Sequence, residues 1–98
     1  MELIRKYLIE EKRIPAVVAD RTILKLEQHP DISAEMEQWI ANRTYKSDGP
    51  VCVEGYTAAD IVKLAPFMDG VGAFTFLVSL REQPDKAKEQ IAAGFPRK

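Results

Sequence analysis

Two side chains in this sequence could serve as nucleophile and base, Cys52 and His29, and each is the only residue of its type. A thiolate with an imidazole beside it is a nucleophilic pair. That chemistry needs an accessible thiol in an electropositive setting. Cys52 stands between Val51 and Val53, a setting expected for a small, buried, inert thiol. His29 stands between Gln28 and Pro30, at a helix boundary, and is expected to be an exposed helix-end residue. No second histidine or cysteine exists to complete a zinc set. No metal and no cofactor are expected.

Gly70-Val71-Gly72 has some of the look of a phosphate-cradling loop. A dinucleotide fingerprint needs a third glycine and a preceding strand, and Asp69 would repel an anion. The small residues are read instead as allowing close packing and a tight helix entry. Glu10, Glu11, Glu54, Asp60 and Asp69 show no spacing that singles out an acid–base pair. They read as solvated carboxylates. An enzyme is therefore not expected.

The last stretch carries Arg81, Lys86, Lys88, Arg97 and Lys98 against Glu82, Asp85 and Glu89. These five cations form the candidate interaction surface. A solvated face is expected there before a nucleic-acid footprint, and no interleaved aromatics suggest single-strand stacking. Over the whole chain, 14 basic and 15 acidic residues leave a net charge of -1, which argues against a strongly electrostatic nucleic-acid binder. A near-neutral surface repels its own copies weakly, so self-association is allowed.

A helix-turn-helix is the alternative. Residues 15–28 and 31–43 read as consecutive helices with a short joint. The second would be the reader, entering a groove near its amino end. That end carries Asp31, Glu35 and Glu37, the wrong sign for phosphates. The pair 57–65 and 70–80 fails differently, because its second helix is too apolar to lie in a groove.

The elements that would position these residues are helical. Residues 2–12 place Leu3, Ile4, Tyr7 and Leu8 on one side, and Ile14-Pro15 interrupts them. Pro15 suits the first turn of the next helix. There Ala16, Ala19, Ile23 and Leu26 keep helical spacing, and Val17, Val18 and Leu24 broaden the apolar stripe. Pro30 ends it near Gln28 or His29. Asp31-Ile32-Ser33 offers short oxygen side chains to cap a third helix. Its stripe is Ile32, Met36, Trp39 and Ile40, with Glu35, Glu37 and Gln38 facing away. Trp39 is expected in the core, with a partial surface role open to it.

Residues 45–55 read as a loop, dense in turn residues at Lys46-Ser47-Asp48-Gly49-Pro50. Val51-Cys52-Val53 is β-prone. Thr57 and Asp60 have the spacing of a capping box, and Tyr56 and Ile61 that of a hydrophobic staple. The helix they start runs through Leu64 and Ala65 until Pro66 ends it or turns Phe67 and Met68 inward. Gly70–Leu80 is the longest near-continuous apolar run. Its alternation also suits a strand, but only Val51–Val53 could pair with it, so a helix is expected. Pro84 restarts the chain, Ala87 and Ile91 face inward, and Gly94 suits a left-handed stop with Phe95 folding back.

A chain of 98 residues, 46% hydrophobic and 30% charged, fits one soluble domain spanning 1–98. A single cysteine allows no intrachain disulfide and fits a cytoplasmic location. Charges interrupt the first residues, unlike a signal peptide, and the apolar run is too short to span a bilayer. No membrane association is expected.

The stretches Gly55-Tyr56-Thr57-Ala58-Ala59-Asp60-Ile61, Gly72-Ala73-Phe74, Leu80-Arg81-Glu82-Gln83-Pro84 and Gly94-Phe95-Pro96-Arg97-Lys98 resemble small uncharacterised bacterial proteins over most of the chain. The resemblance implies a bacterial cytosolic origin and a stand-alone domain, and it implies no activity. The expected object is an all-α bundle of five or six short helices around a buried central helix. Its expected role is a small interaction or regulatory module, binding a protein or a second copy of itself. A weak nucleic-acid-binding accessory regulator is the alternative.

Overall fold

The computed structural model describes residues 2–45 and 50–94. Six α-helices account for most of them, and no strand occurs among the described residues. In order they are α1 (Glu2–Lys6), a π-helical turn (Tyr7–Glu11), α2 (Ala16–Glu27), α3 (Pro30–Asn42), α4 (Ala58–Leu64), α5 (Gly70–Glu82) and α6 (Pro84–Ala92). The all-α expectation holds, and so does the central helix.

α5 is apolar nearly all round, as a helix must be when every side meets protein. Val71, Ala73, Phe74, Phe76, Leu77, Val78 and Leu80 are all buried. It packs against α3, α4 and α6. Asp69 starts it by accepting the Gly72 N–H at 2.8 Å through Oδ1. The hydroxyl of Thr75 donates back to the Val71 and Gly72 carbonyls at 2.9 and 3.0 Å, so this apolar helix carries no stranded hydroxyl there.

α4 has the capping box that its sequence announces. Thr57 Oγ1 accepts the Asp60 N–H at 3.2 Å, and Asp60 Oδ2 accepts the Thr57 N–H at 3.1 Å. The helix stops at Leu64 with Ala65 as its cap, because the residue before Pro66 leaves the helical region. Met68 is half-buried against the core, but Phe67 is largely exposed and does not turn inward. Ahead of α4, Val53 and Tyr56 exchange backbone bonds at 2.8 and 2.9 Å around Glu54 and Gly55. Both central residues have positive φ, 52° and 86°, the pattern of a tight hairpin turn.

Several boundaries differ from expectation for local reasons. The first helix does not stay α-helical to Lys12. It widens at Tyr7, where the Lys12 N–H bonds the Tyr7 carbonyl five residues back, and both Tyr7 and Leu8 are buried. α3 begins at Pro30, with His29 as its cap residue and no side-chain capping bond. Proline needs no N–H there, so Asp31-Ile32-Ser33 does not cap. Instead the Ser33 hydroxyl donates to the Pro30 carbonyl at 3.1 Å. Gly94 has φ 76° after α6, as a left-handed stop requires. The expected fold-back of Phe95, and the expected turn at 46–49, lie outside the described residues.

α2 turns the opposite way from part of its expectation. Ala19 and Leu26 are buried and Ile23 packs against the core. Val17, Val18 and Leu24 do not broaden that inner stripe. They are exposed, at 62%, 42% and 63%, because 100° per residue puts Val17 and Leu24 on the side opposite Ala19 and Leu26.

Candidate functional site

The densest gathering of aromatic and charged groups lies where the π-turn, the end of α3 and the start of α5 meet. Trp39 packs edge-on to Tyr7, with ring centroids 5.8 Å apart, and stacks on Tyr45 at 6.0 Å. Tyr45 in turn meets Phe74 of α5 at 6.0 Å. The Arg43 guanidinium lies 4.9 Å from the Tyr7 ring centroid and 5.4 Å from that of Trp39, and its Nη2 reaches Glu11 Oε2 at 2.6 Å. Arg43 can do this because it closes α3 in the left-handed region, at φ 56°.

Asp69 is the electrostatic centre of this cluster. It caps α5 with one oxygen and pairs with the Lys12 ammonium through the other. Burial pushes its carboxyl up, but Lys12 and the Gly72 N–H outweigh burial and hold it below the usual carboxylate range. Burial raises the Tyr45 phenol, and the negative charge of Asp69 adds to that. Tyr45 is thus a poorer phenolate than free tyrosine. The arrangement is a clamp: each cation already has its anion, and the rings enclose the joint.

Gly70-Val71-Gly72 belongs to the same clamp. The helix end that could have met a phosphate is filled by the chain's own Asp69 carboxylate. Gly70 has a second reason to be glycine. A β-carbon built there would collide with Cδ2, Cε2 and Cε3 of the Trp39 indole.

His29 and Cys52 are not brought into partnership. His29 is buried, at 9% exposure, contrary to the expected exposed position. Its Nε2 lies 3.0 Å from Glu82 Oε2 at the end of α5. An ionised carboxylate only accepts, so the imidazole N–H donates; this bond, with Lys25 assisting, holds the Glu82 carboxyl below its ordinary range. Cys52 is exposed, contrary to the expected buried thiol. The chain is pinned one residue earlier, where the Val51 N–H donates to Glu35 Oε2 at 2.6 Å. Glu35 itself is 6% exposed and does not face away. A buried carboxylate needs such a donor, and nothing in its helical spacing reveals one sixteen residues on. Glu54 is paired with Lys88 and Asp60 caps α4, so neither is a merely solvated carboxylate. No cluster of metal-ligating side chains occurs among the described residues.

Two cations of the candidate basic surface are committed to ion pairs. Arg81 makes a two-toothed pair with Asp31, Nη1 and Nη2 each 2.8 Å from a carboxylate oxygen. Lys88 is 2.6 Å from Glu54. Lys86 makes no ion pair among the described residues, and Arg97 and Lys98 lie outside them.

No family model matches this chain, and neither a curated protein nor a solved structure matches it.

The outer face of α2 carries exposed apolar side chains. Val17 and Leu24 on α2 are the most exposed large hydrophobic side chains described, with Val18 beside them. Arg21 lies between them in the same stripe and has no ion-pair partner among the described residues. Sequence reasoning missed this face because α2 has apolar residues on both sides. No helix among the described residues is long and apolar enough to cross a membrane.

Proposed function

We propose that this chain is a small cytosolic interaction module that holds another polypeptide against the outer face of α2 and performs no catalysis. The carrying observation is that face. A solvent-facing helix normally presents polar residues, yet Val17 and Leu24 stand nearly two-thirds exposed, two helical turns apart, with Val18 alongside. Clustered exposed apolar side chains rimmed by charge are a usual mark of a protein contact. Several other charged groups serve internal pairs that tie the elements together. The single exposed thiol suits a reducing compartment.

The nucleic-acid reading has less behind it. Asp31 at the head of α3 is bound to Arg81, and Lys88 to Glu54, which engages two cations of the candidate basic surface that would otherwise be open to phosphates.

Crosslinking in intact cells tests the interaction reading. A photoreactive side chain at Arg21 should give one discrete adduct that disappears with Leu24→Asp. The same group at Glu89, exposed on α6, should not give it. Absence of an adduct at Arg21, or the same adducts from both positions, overturns the reading.

A further inference from the structure

We infer that the polypeptide covering α2 is a second copy of this chain, lying parallel to the first. The inference rests on the interaction reading and names its partner. Val17, Arg21, Leu24 and Gln28 follow the 4-3-4 spacing of a helix–helix seam on the exposed side of α2. Asp20 and Glu27 flank that seam on one side, and Val18 and Lys25 flank it on the other. The face is therefore neutral as a whole, with Asp20 and Glu27 against Arg21 and Lys25, but divided into an acidic and a basic edge.

A divided face of this kind selects an orientation. Two parallel copies set the acidic edge of each against the basic edge of the other, with Asp20 facing Lys25 of the second copy twice over. An antiparallel pair would set Asp20 and Glu27 against the same acids and Lys25 against Lys25. Parallel alignment also brings the Arg21 side chains of the two copies side by side in the seam, where each guanidinium takes Asp20 of the other copy as its anion. Asp20 already meets Arg5 at 2.9 Å and Lys25 meets Glu82 at 3.5 Å. Both side chains are more than half exposed, and a carboxylate and an ammonium each have capacity for further bonds. The net charge of -1 opposes a second copy only weakly.

A seam about three turns long binds weakly, so association is read at high concentration. In sedimentation equilibrium the purified chain should rise from its monomer mass of 11.1 kDa towards twice that between about 10 µM and 1 mM. Asp20→Lys or Lys25→Asp alone should weaken the dimer roughly tenfold, and the two together should restore most of it. With Cys52→Ser as background, Leu24→Cys should oxidise to a symmetric disulfide dimer, and circular dichroism of each variant checks its fold. A monomer throughout, while the Arg21 adduct in cells persists, overturns the second copy and leaves the interaction reading standing. A dimer that crosslinks only between Val17→Cys and Leu24→Cys chains, or is indifferent to both positions, overturns the parallel alignment.

Discussion

The indole of Trp39 lies directly against the Cα of Gly70, in space that any β-carbon at position 70 would occupy. This contact joins α3 to the first residue of α5. It sets how closely the aromatic joint of Tyr7, Trp39 and Tyr45 approaches the central helix. Gly70→Ala must push the indole or the backbone aside, and overpacking of this kind costs about 1–3 kcal/mol. Gly72, two residues on, has only ordinary contacts with Asp69 and Met68 around its built β-carbon. Gly72→Ala should be neutral or stabilise by up to about 1 kcal/mol, since alanine is the better helix former. Urea unfolding of the two variants should show this opposition, and equal losses would contradict it.

Glu35 holds the entry of the 50–57 stretch through one bond to the Val51 N–H. Glu35→Ala removes the acceptor and should cost about 1–3 kcal/mol. Glu35→Gln keeps a carbonyl oxygen and should lose less. Amide exchange gives the sharper measurement: Val51 should lose protection in the alanine variant and keep most of it in the glutamine variant.

Thr57 and Asp60 satisfy each other's backbone N–H groups at the start of α4. Thr57→Ala should destabilise the protein by about 1 kcal/mol, and Thr57→Ser by much less. α4 has seven residues, so it has little length over which to recover a lost cap. The loss should appear as faster exchange at Asp60 and Ile61 before global unfolding.

Acid should weaken the tie between α3 and α5. The Arg81 guanidinium, against the opposing effect of burial and with help from the Ile32 N–H, lowers the Asp31 carboxyl to about 2. Its folded value lies below its unfolded value, so Asp31 adds stability above about pH 4 and loses it as pH falls towards 2. The Asp31 side chain is half exposed, so screening holds the contribution to about 1 kcal/mol or less. Asp31→Asn should therefore be less stable than the parent at pH 6 and converge with it near pH 2. A constant difference across that range would remove Arg81 as the cause.

The breaks between helices were legible because their causes are local. Pro15, Pro30, Pro66 and Pro84 each mark a break or a first turn, and the Thr57–Asp60 box lies within four residues. The central role of α5 was legible because no other segment is apolar enough to be buried on every side. The side chains whose burial was misread have non-local causes. Glu35 is buried because a backbone donor arrives from Val51, and His29 because Glu82 arrives from another helix. Cys52 is outside because the neighbouring Val53 takes the inward place. On α2, Ala19 and Leu26 compete with Val17 and Leu24 for the core, and periodicity alone does not say which pair wins.

The widened turn at Tyr7–Glu11 is slack held inside a helix. Its loop of backbone bonding holds one residue more than a regular α-helical turn. Excising a single residue would let the turn rewind as α-helix, and four residues at about 100° each turn the chain nearly as far as five in the wider loop, so α1 would keep its facing. Ile4, now wholly enclosed, would stay inward, so this turn should absorb a one-residue deletion that a regular helix could not.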